Sequence, residues 1–225
     1  MADDDEVTLF GKLKSKLIDS KQKWAGEGRL LTGKTAAPAE RLPPGQRLVE
    51  NWPVLDLGIQ PEIPVHAWRL FVDGAVENPV QMKWGEFTDL PKTTLVTDIH
   101  CVTAWSRYDN RWEGVRARDL LEIVRPKEEA AHVIFHSYDT YTTNVPLADF
   151  MAEDVMLAWN WNGQPISREH GGPLRVVIPR LYFWKSAKWI KRIEFSPYDK
   201  PGFWEVRGYH NYGDPWQEQR YDDEP

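Results

Sequence analysis

The chain breaks its apolar residues into short runs, and this limits the folds open to it. Leu174 to Ile178 and Ile190 to Phe195 are brief apolar or β-branched stretches, the pattern of buried strands. Trp68, Leu70 and Val72 alternate with Arg69, Phe71 and Asp73 before an Asp73-Gly74 turn, as a half-buried strand does. Ala131 to Ser137 and Val155 to Trp161 read as further strands, the second followed by an Asn162-Gly163 hairpin signal. The helical patterns are short: Val80 to Leu90, Arg116 to Val124 with Leu120, Leu121 and Val124 on one side, and Pro146 to Met151. Strands and helices do not alternate regularly, and no repeat, heptad or Gly-x-Gly-x-x-Gly pattern is present. The expected class is α+β, with a mainly antiparallel and barrel-like sheet arrangement.

Composition narrows the function classes. Forty-one per cent of the residues are apolar, enough for a full core, and no apolar run approaches the roughly twenty residues that span a bilayer. A net charge of -6 argues against a nucleic-acid partner, which requires a basic surface. A single cysteine excludes an internal disulfide. Met1 to Glu6 is acidic and resembles no export signal, so a cytoplasmic location is expected. Val7 to Trp24 spaces Leu9, Leu13 and Leu17 as a short amphipathic helix does, and Gly26 to Gly45 reads as an extended arm. The expected organisation is an N-terminal helix and arm over 1–45, one catalytic domain over 46–200, and an aromatic arm over 201–225. That last arm packs on the domain through Phe203, Trp204, Tyr209, Tyr212 and Trp216.

Cys101 follows a strand pattern, Leu95 to Ile99, and precedes an expected polar, aromatic loop from Trp105 to Trp112. A lone cysteine is most often a small buried hydrophobe. At a strand end, before a loop of cations and aromatics, it also suits a reactive group. His100 stands beside it, but adjacent strand residues point to opposite faces, which counts against a cysteine-nucleophile hydrolase. His66, His132 and His210 show no paired metal spacing. Twelve tryptophans suit core packing and leave open a Trp-rich ligand-binding module.

A second block is His170-Gly171-Gly172-Pro173-Leu174-Arg175, followed by Ser186-Ala187-Lys188. Its glycines let backbone approach a ligand, and its guanidinium can grip a phosphate bidentately. Lys185 and Lys188 are expected to complete a small anion site.

Cys101-Val102-Thr103-Ala104-Trp105-Ser106 resembles the metal-binding segment of the sulfite-oxidase-fold molybdenum enzymes. It is most similar to the branch of the periplasmic methionine sulfoxide reductase catalytic subunit, whose motif is Cys-Val-Glu-Ala-Trp-Ser. The His170–Arg175 and Ser186–Lys188 blocks resemble that family's cofactor segments, in matching order over roughly residues 50 to 200. The resemblance implies the sulfite oxidase fold, with mixed, mainly antiparallel sheets and short helices, and a molybdenum–molybdopterin cofactor. It implies Cys101 as the molybdenum ligand, a soft thiolate suited to that centre. Asn51, Ser137, His170, Arg175, Ser186, Ala187 and Lys188 would hold the pterin and phosphate. Arg107, Tyr108 and Arg111 are expected to line the substrate mouth. Sulfite oxidases carry Cys-Ala-Gly-Asn-Arg-Arg at the ligand, whereas here the arginine falls one residue later and Glu50 precedes Asn51. The implied activity is therefore oxygen-atom or electron transfer on a small polar S- or N-oxide rather than on sulfite. With no haem, flavin or nicotinamide motif, a separate redox carrier protein is expected.

Overall fold

The computed structural model describes Lys23 and residues 41–222. The expected helix over 7–24, Lys23 apart, and the arm up to residue 40 lie outside those residues.

Two sheets organise the described chain. The first is built on a hairpin of β4 (Thr93–Cys101) and β5 (Trp105–Arg116), with Cys101 opposite Trp105 and Leu95 opposite Trp112. At its start β5 also pairs in parallel with β1 (Arg47–Leu48). Its far end pairs antiparallel with β8 (Met156–Trp161), which pairs in turn with β9 (Gln164–Pro165) and β10 (Arg175–Val177). The second sheet runs β3 (Val80–Lys83), β2 (Arg69–Gly74), β11 (Ile190–Ser196), β6 (His132–Ser137) and β7 (Thr142–Pro146). Only β2 and β11 are parallel in it. The class is α+β, as expected.

The sequence reading is corrected at two elements. Trp105 to Trp112 is not a loop but the first two-thirds of β5. The turn is only Val102–Ala104, where Ala104 takes φ 65° and its N–H donates to the Cys101 carbonyl at 3.1 Å. Polar β5 residues are accommodated by specific partners: buried Asn110 donates to the Thr97 carbonyl at 3.2 Å. Val80 to Leu90 is likewise two elements, β3 and then a short helix α1 (Trp84–Thr88). Pairing of Val80 with Val72 and Met82 with Leu70 draws the first four residues into the sheet, and tertiary pairing overrides the weak local preference.

At β8 and β10 the first sheet is buried on both faces. Leu157 and Val176 enter one core with Trp68, Phe87 and Phe135, while Met156, Ala158 and Val177 enter another with Cys101, Trp105 and Trp112. This is the two-residue period of a strand, and it explains why these runs are continuously apolar. Helix α2 (Ala117–Val124) covers the first core with Ala117, Leu120, Leu121 and Val124, the spacing of one helical face. The second core is open at one end, where the site lies.

Candidate active site

A cavity of about 140 Å³ opens beside the second core. Five stretches distant in sequence wall it: Trp52 to Leu57, the Cys101 turn, Asp139 with Tyr141, His170 with Arg175, and Phe183 to Trp189 without Lys185. Trp204 and Tyr209 close it from the C-terminal arm.

Cys101 ends β4 with its side chain buried in this wall. Its Sγ lies 3.2 Å from the Thr103 hydroxyl. Burial pushes the thiol pKa up, opposed by the Thr103 hydrogen bonds and the charges of Arg220 and Lys188. His100 faces the other way, 2.8 Å from the Ser106 hydroxyl. The strand alternation thus separates Cys101 from His100, as expected, and no Cys–His pair exists here.

The opposite corner is made by the turn around Gly171, at φ 108°. A Cβ there would fall 2.9 Å from the Lys188 Cβ, so glycine lets the turn and the 186–188 segment come together. His170 lies face to face with Trp52, the rings 3.9 Å apart. Its Nε2 donates to the Trp52 carbonyl at 3.1 Å, which leaves Nδ1 to accept from the Ser167 hydroxyl at 2.9 Å. Burial lowers its pKa to about 4, so the ring is neutral.

Arg175 is 1 % exposed. Its guanidinium donates to the His170 carbonyl at 2.6 Å and the Ser186 carbonyl at 2.9 Å, over the Phe183 ring at 4.2 Å. Among the described residues no carboxylate pairs with it, and burial alone lowers its pKa to about 9. A buried cation held by carbonyls and aromatic faces, without a carboxylate counter-ion, leaves its charge available to attract an anion.

Cys101, His170, Arg175, Ser186, Ala187 and Lys188 are therefore brought together on one cavity. Asn51 and Ser137 are not among its lining residues, though Asn51 adjoins Trp52 in sequence, and Asn51 Oδ1 and Ser137 Oγ are buried without a partner among the described residues. Arg107, Tyr108 and Arg111 do not line it either. Arg107 donates to the Glu50 carbonyl at 3.0 Å and stacks on Trp161, Tyr108 lies under Arg41, and Arg111 pairs with Glu113 at 2.6 Å. The expected pairing of Lys185 with Lys188 in one anion site is also corrected. Lys185 is fully buried away from the cavity and paired with Glu205 at 2.6 Å.

Sequence reasoning missed Trp52, Asp56, Thr103 and Asp139. Trp52 carried a signal as the residue after Asn51, and Thr103 as part of the Cys101–Ser106 segment; Asp56 and Asp139 are brought in by loop geometry.

Residues 57–204 match the family model of the oxidoreductase molybdopterin-binding domain. The chain belongs to this family. It is 49 % identical to an uncharacterized oxidoreductase, YuiH, of Bacillus subtilis over 80 % of this chain and 92 % of that protein. It is 28 % identical to a putative protein-methionine-sulfoxide reductase subunit, YedZ1, of Azospira oryzae over 68 % of this chain and 58 % of that one. Human mitochondrial sulfite oxidase is 33 % identical over 51 % of this chain and only 23 % of its own length. Among solved structures, the sulfane dehydrogenase SoxCD of Paracoccus pantotrophus superposes with a TM-score of 0.57 at 23 % identity, over 62 % of this chain and 40 % of that one. That likeness establishes the sulfite oxidase fold.

A molybdopterin-binding oxidoreductase is an enzyme whose cofactor is molybdenum–molybdopterin. The residues present fit that group: a buried thiol for the metal, and an unpaired buried guanidinium for the phosphate. The indole N–H of Trp105, on the cavity wall, is also buried without a partner. Among the described residues no cluster of three or more His, Cys, Asp or Glu side chains could hold a metal without the pterin. None of their helices is long and apolar enough to cross a membrane.

Proposed function

We propose that the chain is a molybdopterin-dependent reductase of small, neutral S- or N-oxides, supplied with electrons by a separate redox carrier protein. The observation that carries the reading is that the Cys101 thiol and the unpaired Arg175 guanidinium share one cavity. In this reading Cys101 ligates molybdenum. Arg175 and Lys188 hold the cofactor's phosphate end, while His170, Ser186 and Ala187 shape the wall against its ring. Bound there, the cofactor supplies two-electron redox chemistry at the metal.

The chain's own residues orient and exclude. His170 is fixed by hydrogen bonds on both ring nitrogens and by Trp52 against its face, so it enters the site neutral and does not compete for the anion. Trp52, Trp105, Phe183, Trp184, Trp204 and Tyr209 make the rest of the wall largely apolar. A sulfite dianion would need cations at the mouth. Arg107 and Arg111, the candidates after the ligand, are engaged elsewhere. A wall that is mostly aromatic and aliphatic favours a neutral oxide, which takes up two electrons and two protons and leaves as the sulfide or amine plus water.

Two measurements test this. Molybdenum content by mass spectrometry, for wild type and Cys101→Ser made in a host that synthesises molybdopterin, should be near one per chain in wild type and altered in the variant. Turnover with a reduced dye should be faster with dimethyl sulfoxide or trimethylamine N-oxide than sulfite oxidation with the oxidised dye. Preference for sulfite would reject the substrate class, and absence of molybdenum from folded wild type would favour a binding module.

A further inference from the structure

Two segments outside the family-matched residues 57–204 meet at the Cys101 turn. From the N-terminal side, the Gln46 side-chain amide donates to the Cys101 carbonyl at 3.1 Å, and Gln46 Oε1 accepts from the Ser106 hydroxyl at 3.3 Å. From the C-terminal side, the Arg220 guanidinium donates to the Val102 carbonyl at 2.7 Å and reaches the Pro44 carbonyl at 3.4 Å. The Arg220 side chain is only 12 % exposed, lies 5.2 Å from the Tyr182 ring centroid, and has Glu218 at 3.6 Å. Its backbone is fixed as well, the Arg220 carbonyl accepting from the His210 N–H at 3.1 Å. Gly45 makes the approach possible: at φ 67°, a Cβ there would fall 2.5 Å from Glu218 Oε1 and 3.0 Å from Arg220 Nη2.

We propose that Arg220 is a positioning residue for the Cys101 turn, clamping it between the two flanking segments so that the thiolate is held for the metal. The inference rests on the reading of Cys101 as the molybdenum ligand. A turn of three residues between β4 and β5 has few hydrogen bonds of its own. The Cys101 carbonyl is held by Gln46 and by the Ala104 N–H, and the Val102 carbonyl by Arg220. A fork that reaches two carbonyls on different segments suits arginine and not lysine.

The test uses full-length wild type, Arg220→Met, Arg220→Lys and Cys101→Ser, all made in a host that synthesises molybdopterin. Molybdenum per chain after extended dialysis, the paramagnetic resonance spectrum of the bound metal, and Tm are measured for each. Arg220→Met is expected to lose molybdenum roughly tenfold more readily, with a shifted spectrum and a Tm close to wild type. Arg220→Lys should fall part-way, because a single ammonium can still donate to one of the two carbonyls. If Arg220→Met does not fold, Arg220→Lys decides: weaker retention at wild-type Tm supports the clamp, and wild-type retention and spectrum overturn it. Retention lost only in step with Tm, and not recovered by lysine, would also overturn it. If Arg220→Met matches wild type while Cys101→Ser changes retention and spectrum, the proposal fails and the ligand reading stands. If Cys101→Ser matches wild type, the ligand reading fails and takes the clamp with it.

Discussion

Lys185 and Glu205 form an ion pair at 2.6 Å with side chains 0 % and 1 % exposed. Lys185 also donates to the Asn144 carbonyl at 2.9 Å and the Asn211 carbonyl at 2.6 Å. Glu205 Oε1 accepts from Thr143 at 2.7 Å and from the Trp184 indole at 3.0 Å. The pair fastens the C-terminal segment to β7 and to the wall that carries Trp184. Removing one partner strands a buried charge, so Glu205→Ala should cost about 3–5 kcal/mol of stability, read from urea denaturation. The double replacement Lys185→Met with Glu205→Met should cost less than either single truncation.

His170 gives the cofactor-free chain an acid limit. Its folded pKa of about 4 lies below the ordinary 6.5. Between those values the unfolded state binds the proton and the folded state does not, so stability rises with pH. The contribution is complete above about pH 6.5 and lost as pH falls toward about 4. Thermal melts should show Tm falling across that window, and His170→Asn should reduce the slope, leaving the part due to His100, whose burial also lowers its pKa to about 4. An unchanged slope in the variant would assign the acid limit to other groups.

Arg175 should be intolerant of a shorter, differently shaped cation. Its donors are divided between the carbonyls of His170 and Ser186, a fork that one ammonium does not reproduce. Arg175→Lys is expected to fold but to retain cofactor about tenfold less well, measured as pterin and molybdenum per chain after gel filtration.

The arginines of β5 should matter far less. Arg111 lies on the outside of the hairpin with Glu113, and Arg107 is engaged with Glu50 and Trp161. Arg107→Ala and Arg111→Ala should each leave kcat/KM within about twofold of wild type, the scale of a surface change worth about 0.5 kcal/mol. A tenfold loss in either would return that residue to the substrate mouth.

Gly171→Ala combines backbone strain with a collision. The residue sits at φ 108°, and the new Cβ would lie 2.9 Å from the Lys188 Cβ. A loss of about 1–3 kcal/mol is expected, together with weaker cofactor retention, because Lys188 must move. Chemical denaturation and molybdenum content report the two effects separately.

Local physics alone makes part of this fold legible from its residues. β10, β11, β6 and β8 were legible because short apolar runs bounded by turns have few alternatives. The Asn162-Gly163 turn was legible because both residues must take positive φ, as they do at 49° and 79°. Cys101 at a strand end and the block from His170 to Arg175 were legible as spacing. Which groups find partners depends on contacts made when the chain folds. Arg175 and Lys185 are both basic residues of one sequence block, yet Lys185 is neutralised by Glu205 arriving on the C-terminal arm, while Arg175 has no carboxylate to meet it. Likewise Trp105 to Trp112 carries the composition of a loop and becomes a strand because β4, β1 and β8 supply its hydrogen bonds. Burial of charge and satisfaction of backbone groups depend on neighbours distant along the chain, and local pattern carries no record of them.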